Sequence, residues 1–173
     1  MFHDWENFYL IVGSAAGALI GLMFVVATLM AGLESSRVSH GARVFFTPII
    51  FHFAVVVVVS AVAVVPEMPA HVAGVILAFC AANGFAYTIA TIFRMSAPGS
   101  DNPLHWSDMY FYGVVPAIVY LALAGAAGAV WFAAAGVAYA IGAMVLILLL
   151  IGIRNAWDLA IFLLQGARDR GPR

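Results

Sequence analysis

Five long apolar stretches, separated by short segments rich in proline, glycine or charge, set the pattern of this chain. The hydrocarbon core of a bilayer is about 30 Å thick, and a helix crosses it with roughly 20 consecutive apolar residues. Runs of that length lie at approximately 8–32, 42–65, 70–94, 108–127 and 130–163, and each predicts a transmembrane helix. The second run stops at Pro66 and Pro69 in a PEMP turn, and the third ends at Arg94.

The last two helices are read from one uninterrupted stretch. No charged residue occurs from Met109 to Ile153. That length is about twice what one span requires, so the chain has to reverse within it. The expected reversal lies at Gly125 to Trp131, where Gly125 and Gly128 can take positive φ and Trp131 and Phe132 can anchor at headgroup level. Between the third and fourth runs, Pro98, Gly99, Asp101, Asn102 and Pro103 gather turn formers that continue neither helix. The predicted fold is all-α, a polytopic bundle of five membrane-spanning helices. It forms a single transmembrane domain over 1–173, with 154–173 as a helix extension and C-terminal tail on the cytoplasmic side.

Composition agrees with lipid as the solvent. Of the 173 residues, 65% are hydrophobic and 9% charged, more apolar surface than a soluble domain of this size can hide. The apolar runs use nearly all of the length, so no appended soluble catalytic domain is expected. The segment ahead of the first run carries His3, Asp4 and Glu6 rather than positive charge, and the run exceeds a signal peptide's apolar core, so this helix is expected to be retained. Cys80 is the one cysteine, which excludes an intrachain disulfide and a cysteine-based zinc site. The formal net charge of −1 leaves no basic footprint for nucleic acid.

Arginine placement predicts orientation. Arg37 and Arg43 lie between helices one and two, Arg94 follows helix three, and Arg154, Arg168, Arg170 and Arg173 lie at the C-terminal end. These are alternate connections, so the positive-inside rule puts the N-terminus outside and the C-terminus in the cytoplasm, as in a bacterial inner-membrane protein. Trp5, Phe8 and Tyr9 would mark the outer interface, and Trp106, Tyr110, Tyr112 and Trp157 the inner one.

The candidate chemistry sits on the helices themselves. On helix three, Cys80, Asn83, Tyr87, Thr91 and Arg94 project within less than a quarter of the circumference, forming a polar stripe. Polar groups in hydrocarbon must face protein or water. His52 lies well inside helix two, and an intramembrane histidine suits proton relay or gating. Together, His52, Asn83, Tyr87, Thr91 and Arg94 form a candidate polar pathway; the alternative is that they only hold the bundle together through hydrogen bonds. On helix one, Ser14, Gly17, Gly21, Thr28 and Gly32 share a side that lets another backbone approach, within this chain or on a neighbour. Arg154 and Asp158, four residues apart, form a candidate inner-face charge clamp, with Arg94 as an alternative partner for Asp158. Pro116 is expected to kink helix four.

On the outer side, His3, Asp4, Glu6, Glu67 and His71 could concentrate cations, but their spacings match no ligand motif. There is no nucleophile with a base and orienter, no phosphate loop and no intramembrane carboxylate pair, so neither an enzyme nor a bound cofactor or metal is expected. The function expected first is a homo-oligomeric channel or transport component; the alternative is a non-transporting accessory or scaffold subunit that binds another membrane protein or lipid. The expected partners are the lipid bilayer and a second copy or another membrane protein. The residues do not specify which small molecule or ion a transporter would carry.

Overall fold

The computed structural model describes residues 3–31, 36–96, 109–132 and 134–168. Gly32, the turn formers from Pro98 to Pro103, Trp106, Arg170 and Arg173 lie outside the described residues, as do the side chains of Arg37, Arg43 and Arg168. Every described element is helical. A short 3₁₀ turn, His3–Trp5, leads into α1, Glu6–Ala31, with Asp4 and Glu6 placed where the positive end of the helix dipole favours acid. α2 spans Ser36–Val64 and α3 Ala70–Met95. The two are separated by the proline turn, where the Ala73 amide donates to the Pro69 carbonyl at 3.0 Å. A π-helical segment, Tyr110–Val114, runs directly into α4, Val115–Trp131, and α5 spans Val137–Arg168 without a break at Arg154.

Each of the five helices, the fourth taken together with its π segment as Tyr110–Trp131, contains a stretch long and apolar enough to cross a membrane. The shortest, Phe46–Val64 with 19 residues, covers about 28 Å at 1.5 Å per residue. The chain is an integral, multi-pass membrane protein with an all-α bundle fold.

The reversal between the last two helices is not where the glycines pointed. The chain stays helical through Gly125 and Gly128 as far as Trp131, and α5 begins at Val137 rather than near 130. Breaking the helix at Gly125 would strand backbone N–H and C=O groups in hydrocarbon, where nothing else satisfies them, so glycine stays helical there. The turn instead lies between Trp131 and Val137 and takes its positive φ from Gly136, at 78°. Phe132, 83% exposed, stands at its tip.

Pro116 also behaves differently from the expected mid-helix kink. It sits in the first turn of α4, just after the π segment. In a π turn each N–H reaches one residue further back, as the Val115 amide does in donating to the Tyr110 carbonyl. That widening helps the backbone pass a residue with no N–H of its own. α2 carries a second proline, Pro48, which is buried within its helical run.

α1 packs on α2, α2 on α5, and α3 on α4, which in turn meets α5. Tyr9, Ile49, Phe53, Leu77, Tyr120 and Leu148 are among the buried side chains that join these layers. α1 is peripheral: 17% of its most apolar window is buried, against 56% for α2. One end of the bundle carries Trp5, whose ring meets Tyr139 edge-on at 4.6 Å, and the opposite end carries Arg94 and Arg154.

Candidate functional site

The polar side chains fall into three groups, and the first lies in the core. His52, 1% exposed, projects from the face of α2 opposite lipid, and its Nδ1 lies 2.8 Å from the Tyr120 hydroxyl on α4. Tyr120 is fully buried, and its ring occupies the space left by Gly84 on α3, where a Cβ would run into it. Three helices therefore meet at one hydrogen bond. The bond uses one ring nitrogen; Nε2 has no partner among the described residues, whichever tautomer is present. Ser60, two turns further along α2, is also buried with its hydroxyl unpartnered, and its Cβ lies 2.8 Å from the place where a side chain on Gly13 would begin.

The helix-three stripe is split by its surroundings. Asn83 and Arg94 are exposed, Thr91 is buried, and Tyr87 stands at the boundary, stacked on Phe51 at 4.7 Å between ring centroids. The side chains bond to their own helix: Asn83 Nδ2 donates to the Phe79 carbonyl at 2.8 Å, and the Thr91 hydroxyl to the Tyr87 carbonyl at 3.0 Å. Thr88, on the buried side, does the same with Gly84. His52 shares no surface with Asn83 or Arg94, since it is buried next to Phe51, itself covered by Tyr87.

The third group ties the π segment to α5. Asn155, wholly buried, donates from Nδ2 to the Phe111 carbonyl at 3.4 Å, and its own carbonyl accepts the Tyr112 hydroxyl at 3.0 Å. Arg154 lies over the Phe111 ring at 3.8 Å and pairs with Asp158 at 3.0 Å, so the four-residue clamp forms within α5. Both partners are about a third exposed, and a pair screened to that extent contributes well under about 1 kcal/mol. The Asn155 side chain weighs more, because it is wholly buried and without it the Phe111 carbonyl loses the hydrogen bond that ties the π segment to α5.

On α1, Ser14, Gly17, Gly21 and Thr28 all face outward, and a Cβ added at Gly17 or Gly21 would meet nothing within 4 Å. The Thr28 hydroxyl bonds to the Val25 carbonyl of its own helix. The α1 glycine that packs inside the bundle is Gly13. Among the described residues, no three His, Cys, Asp or Glu side chains gather as a metal site.

Tyr120, Gly84, Tyr112 and Asn155 are the positions that sequence reasoning did not single out for these contacts. Tyr120 had one signal, as the sole side-chain hydroxyl in the Val115–Trp131 helix. No family model matches the chain, and none of the curated proteins or solved structures compared with it is similar beyond chance.

Proposed function

We propose that this chain is an accessory or scaffold subunit of a membrane assembly, acting by binding another membrane-spanning chain rather than by carrying a solute through its own bundle. The observation that carries this reading is where the polar groups go. Thr88 and Thr91 are closed onto their own helix, His52 Nδ1 is held by Tyr120, and the two buried polar atoms left without a partner among the described residues, His52 Nε2 and Ser60 Oγ, stand about two helical turns apart on α2. A passage for solute or ions needs polar groups turned toward a shared wet path. The outward, open face of α1 around Gly17 and Gly21 adds a surface on which a second helix can approach closely.

The second reading, an oligomeric channel, draws on the exposure of Asn83 and Arg94 on α3, which would place a pathway between copies. The N-terminus outside and the C-terminus in the cytoplasm follow, in either reading, from the arginine distribution. Cysteines replacing Glu6 or His71 in a Cys80→Ala background should therefore react with an impermeant thiol reagent from outside, and one replacing Ser96 should not.

The deciding experiment is flux in proteoliposomes, followed with ions and small solutes, beside site-specific photo-cross-linking from Ala18 in native membranes. Flux no greater than in protein-free vesicles, with a discrete heterologous adduct that disappears in Gly17→Leu, is the expected result. Flux that Asn83→Leu abolishes would overturn the scaffold reading in favour of the channel.

A further inference from the structure

α3 carries a second outward surface that the α1 reading does not use. Asn83 stands 13 residues after Ala70 and 12 before Met95, the midpoint of the helix. At 1.5 Å per residue it is roughly 18–20 Å from either end, far from interfacial water. Its side chain is exposed on a face otherwise made of Val75, Phe79, Ala82, Ala86 and Phe93. The one hydrogen bond it makes, to the Phe79 carbonyl, uses a single N–H of the amide. The amide oxygen and the second N–H have no partner among the described residues. Acyl chains offer neither donor nor acceptor, so a lipid-facing amide at this depth remains unsatisfied.

The missing partner has to supply both a donor and an acceptor, at the same depth, on an element able to come close. A second copy of α3 meets all three requirements. Its Asn83 lies at the same depth because both copies insert in the same orientation, and an amide is its own complement. Close approach is provided by Ala82 and Ala86, exposed at a four-residue step with Ala90 continuing the series at the edge of burial. Phe79 and Phe93, 68% and 72% exposed, supply apolar contact on either side of the crossing point. A crossing centred on Asn83 lets the helix ends splay, which carries the two exposed Arg94 side chains apart into the interface. We propose that two copies of this chain associate through the outward face of α3, about a two-fold axis normal to the membrane, with their Asn83 amides hydrogen-bonded to each other. This surface is separate from the α1 face and stands whether or not a heterologous chain binds there.

The test uses full-length chain in a Cys80→Ala background. Single cysteines are introduced at Ala82, Ala86, Ala18 and Ile118, the last on the outward face of α4. Oxidative cross-linking in native membranes should give disulfide dimers from Ala82→Cys and Ala86→Cys and none from Ile118→Cys. Energy transfer between labelled copies in phosphatidylcholine vesicles, titrated with added lipid, then measures association. Asn83→Leu should weaken it by about 3- to 30-fold, the usual effect of one interhelical polar contact. Asn83→Gln, which keeps donor and acceptor, should retain most of it, and helicity should be unchanged in both. Dimers that persist undiminished in Asn83→Leu, cross-links confined to Ala18→Cys, or a chain that stays monomeric at every lipid ratio would each overturn the proposal.

Discussion

His52 and Tyr120 stand 68 residues apart in sequence, yet Nδ1 of one lies 2.8 Å from the hydroxyl of the other in the centre of the bundle. α2 and α4 share few other contacts. This bond is therefore the direct polar link between them, while α3 and α5, which pack against both, hold the rest of the arrangement. In hydrocarbon, helix pairing gains little from apolar burial, because lipid tails are as apolar as leucine, so specific packing and hydrogen bonds decide which faces meet.

That reasoning predicts strong coupling between the two residues. His52→Leu leaves the Tyr120 hydroxyl buried and unpaired, and Tyr120→Phe leaves both histidine nitrogens without partners. Each should destabilise the bundle by about 1–3 kcal/mol. The double variant His52→Leu/Tyr120→Phe removes the polar groups together and should be less destabilised than the sum, with a coupling of about 0.5–3 kcal/mol. Unfolding of all four proteins in mixed micelles measures the cycle. Additive losses would show that the bond contributes nothing.

The spans were legible because length, apolarity and the absence of charge report directly on hydrocarbon thickness. Their neighbours were not, since a helical period tells which residues share a side and not what lies opposite. Cys80, Asn83, Tyr87, Thr91 and Arg94 do share a side, but the border between the exposed and buried faces of α3 runs through them, with Asn83 and Arg94 outside and Cys80 and Thr91 inside. Gly13 and Gly17 have the same signature at a four-residue step, yet the first meets Ser60 and the second meets nothing. The misplaced turn has the same origin. Glycine permits a reversal, but the demand for backbone hydrogen bonds within lipid decides where one occurs, and Gly136 was less conspicuous than Gly125 and Gly128.

The end of the bundle that carries Arg154 should lose stability in a definite order. Asn155→Leu removes the donor to the part-buried Phe111 carbonyl and the amide oxygen that accepts from Arg154, so a loss of about 1–3 kcal/mol is expected. Tyr112→Phe removes only a hydroxyl that donates to the Asn155 carbonyl, which should cost about 1 kcal/mol. Asp158→Asn breaks a partly exposed ion pair and should cost less than about 1 kcal/mol. Thermal unfolding of the three variants checks the ranking. An Asp158→Asn variant less stable than Asn155→Leu would mean that the ion pair, and not the buried amide, anchors the π segment to α5.

Glycine substitutions separate surfaces that hold one copy together from surfaces that hold partners. Gly84→Ala places a methyl group in the Tyr120 ring, which must move and pull its hydroxyl from His52. Overpacking of this kind costs about 1–3 kcal/mol, so the purified chain should melt at lower temperature. Gly13→Leu should do the same against Ser60. Gly17→Leu and Gly21→Leu add larger side chains, yet into open space, so the isolated chain should keep its melting temperature. In membranes the order reverses: a leucine at Gly17 or Gly21 blocks close approach of another helix, and cross-linking from Ala18 should fall, whereas Gly84→Ala should leave that yield intact as long as the chain is folded. Each of the four variants therefore lowers one readout and leaves the other unchanged, melting temperature for Gly84→Ala and Gly13→Leu and cross-linking yield for Gly17→Leu and Gly21→Leu, if α1 presents its small residues to a partner. Should Gly17→Leu destabilise the isolated chain as much as Gly84→Ala does, the small-residue face of α1 belongs to the bundle's own interior and the scaffold reading loses its docking surface.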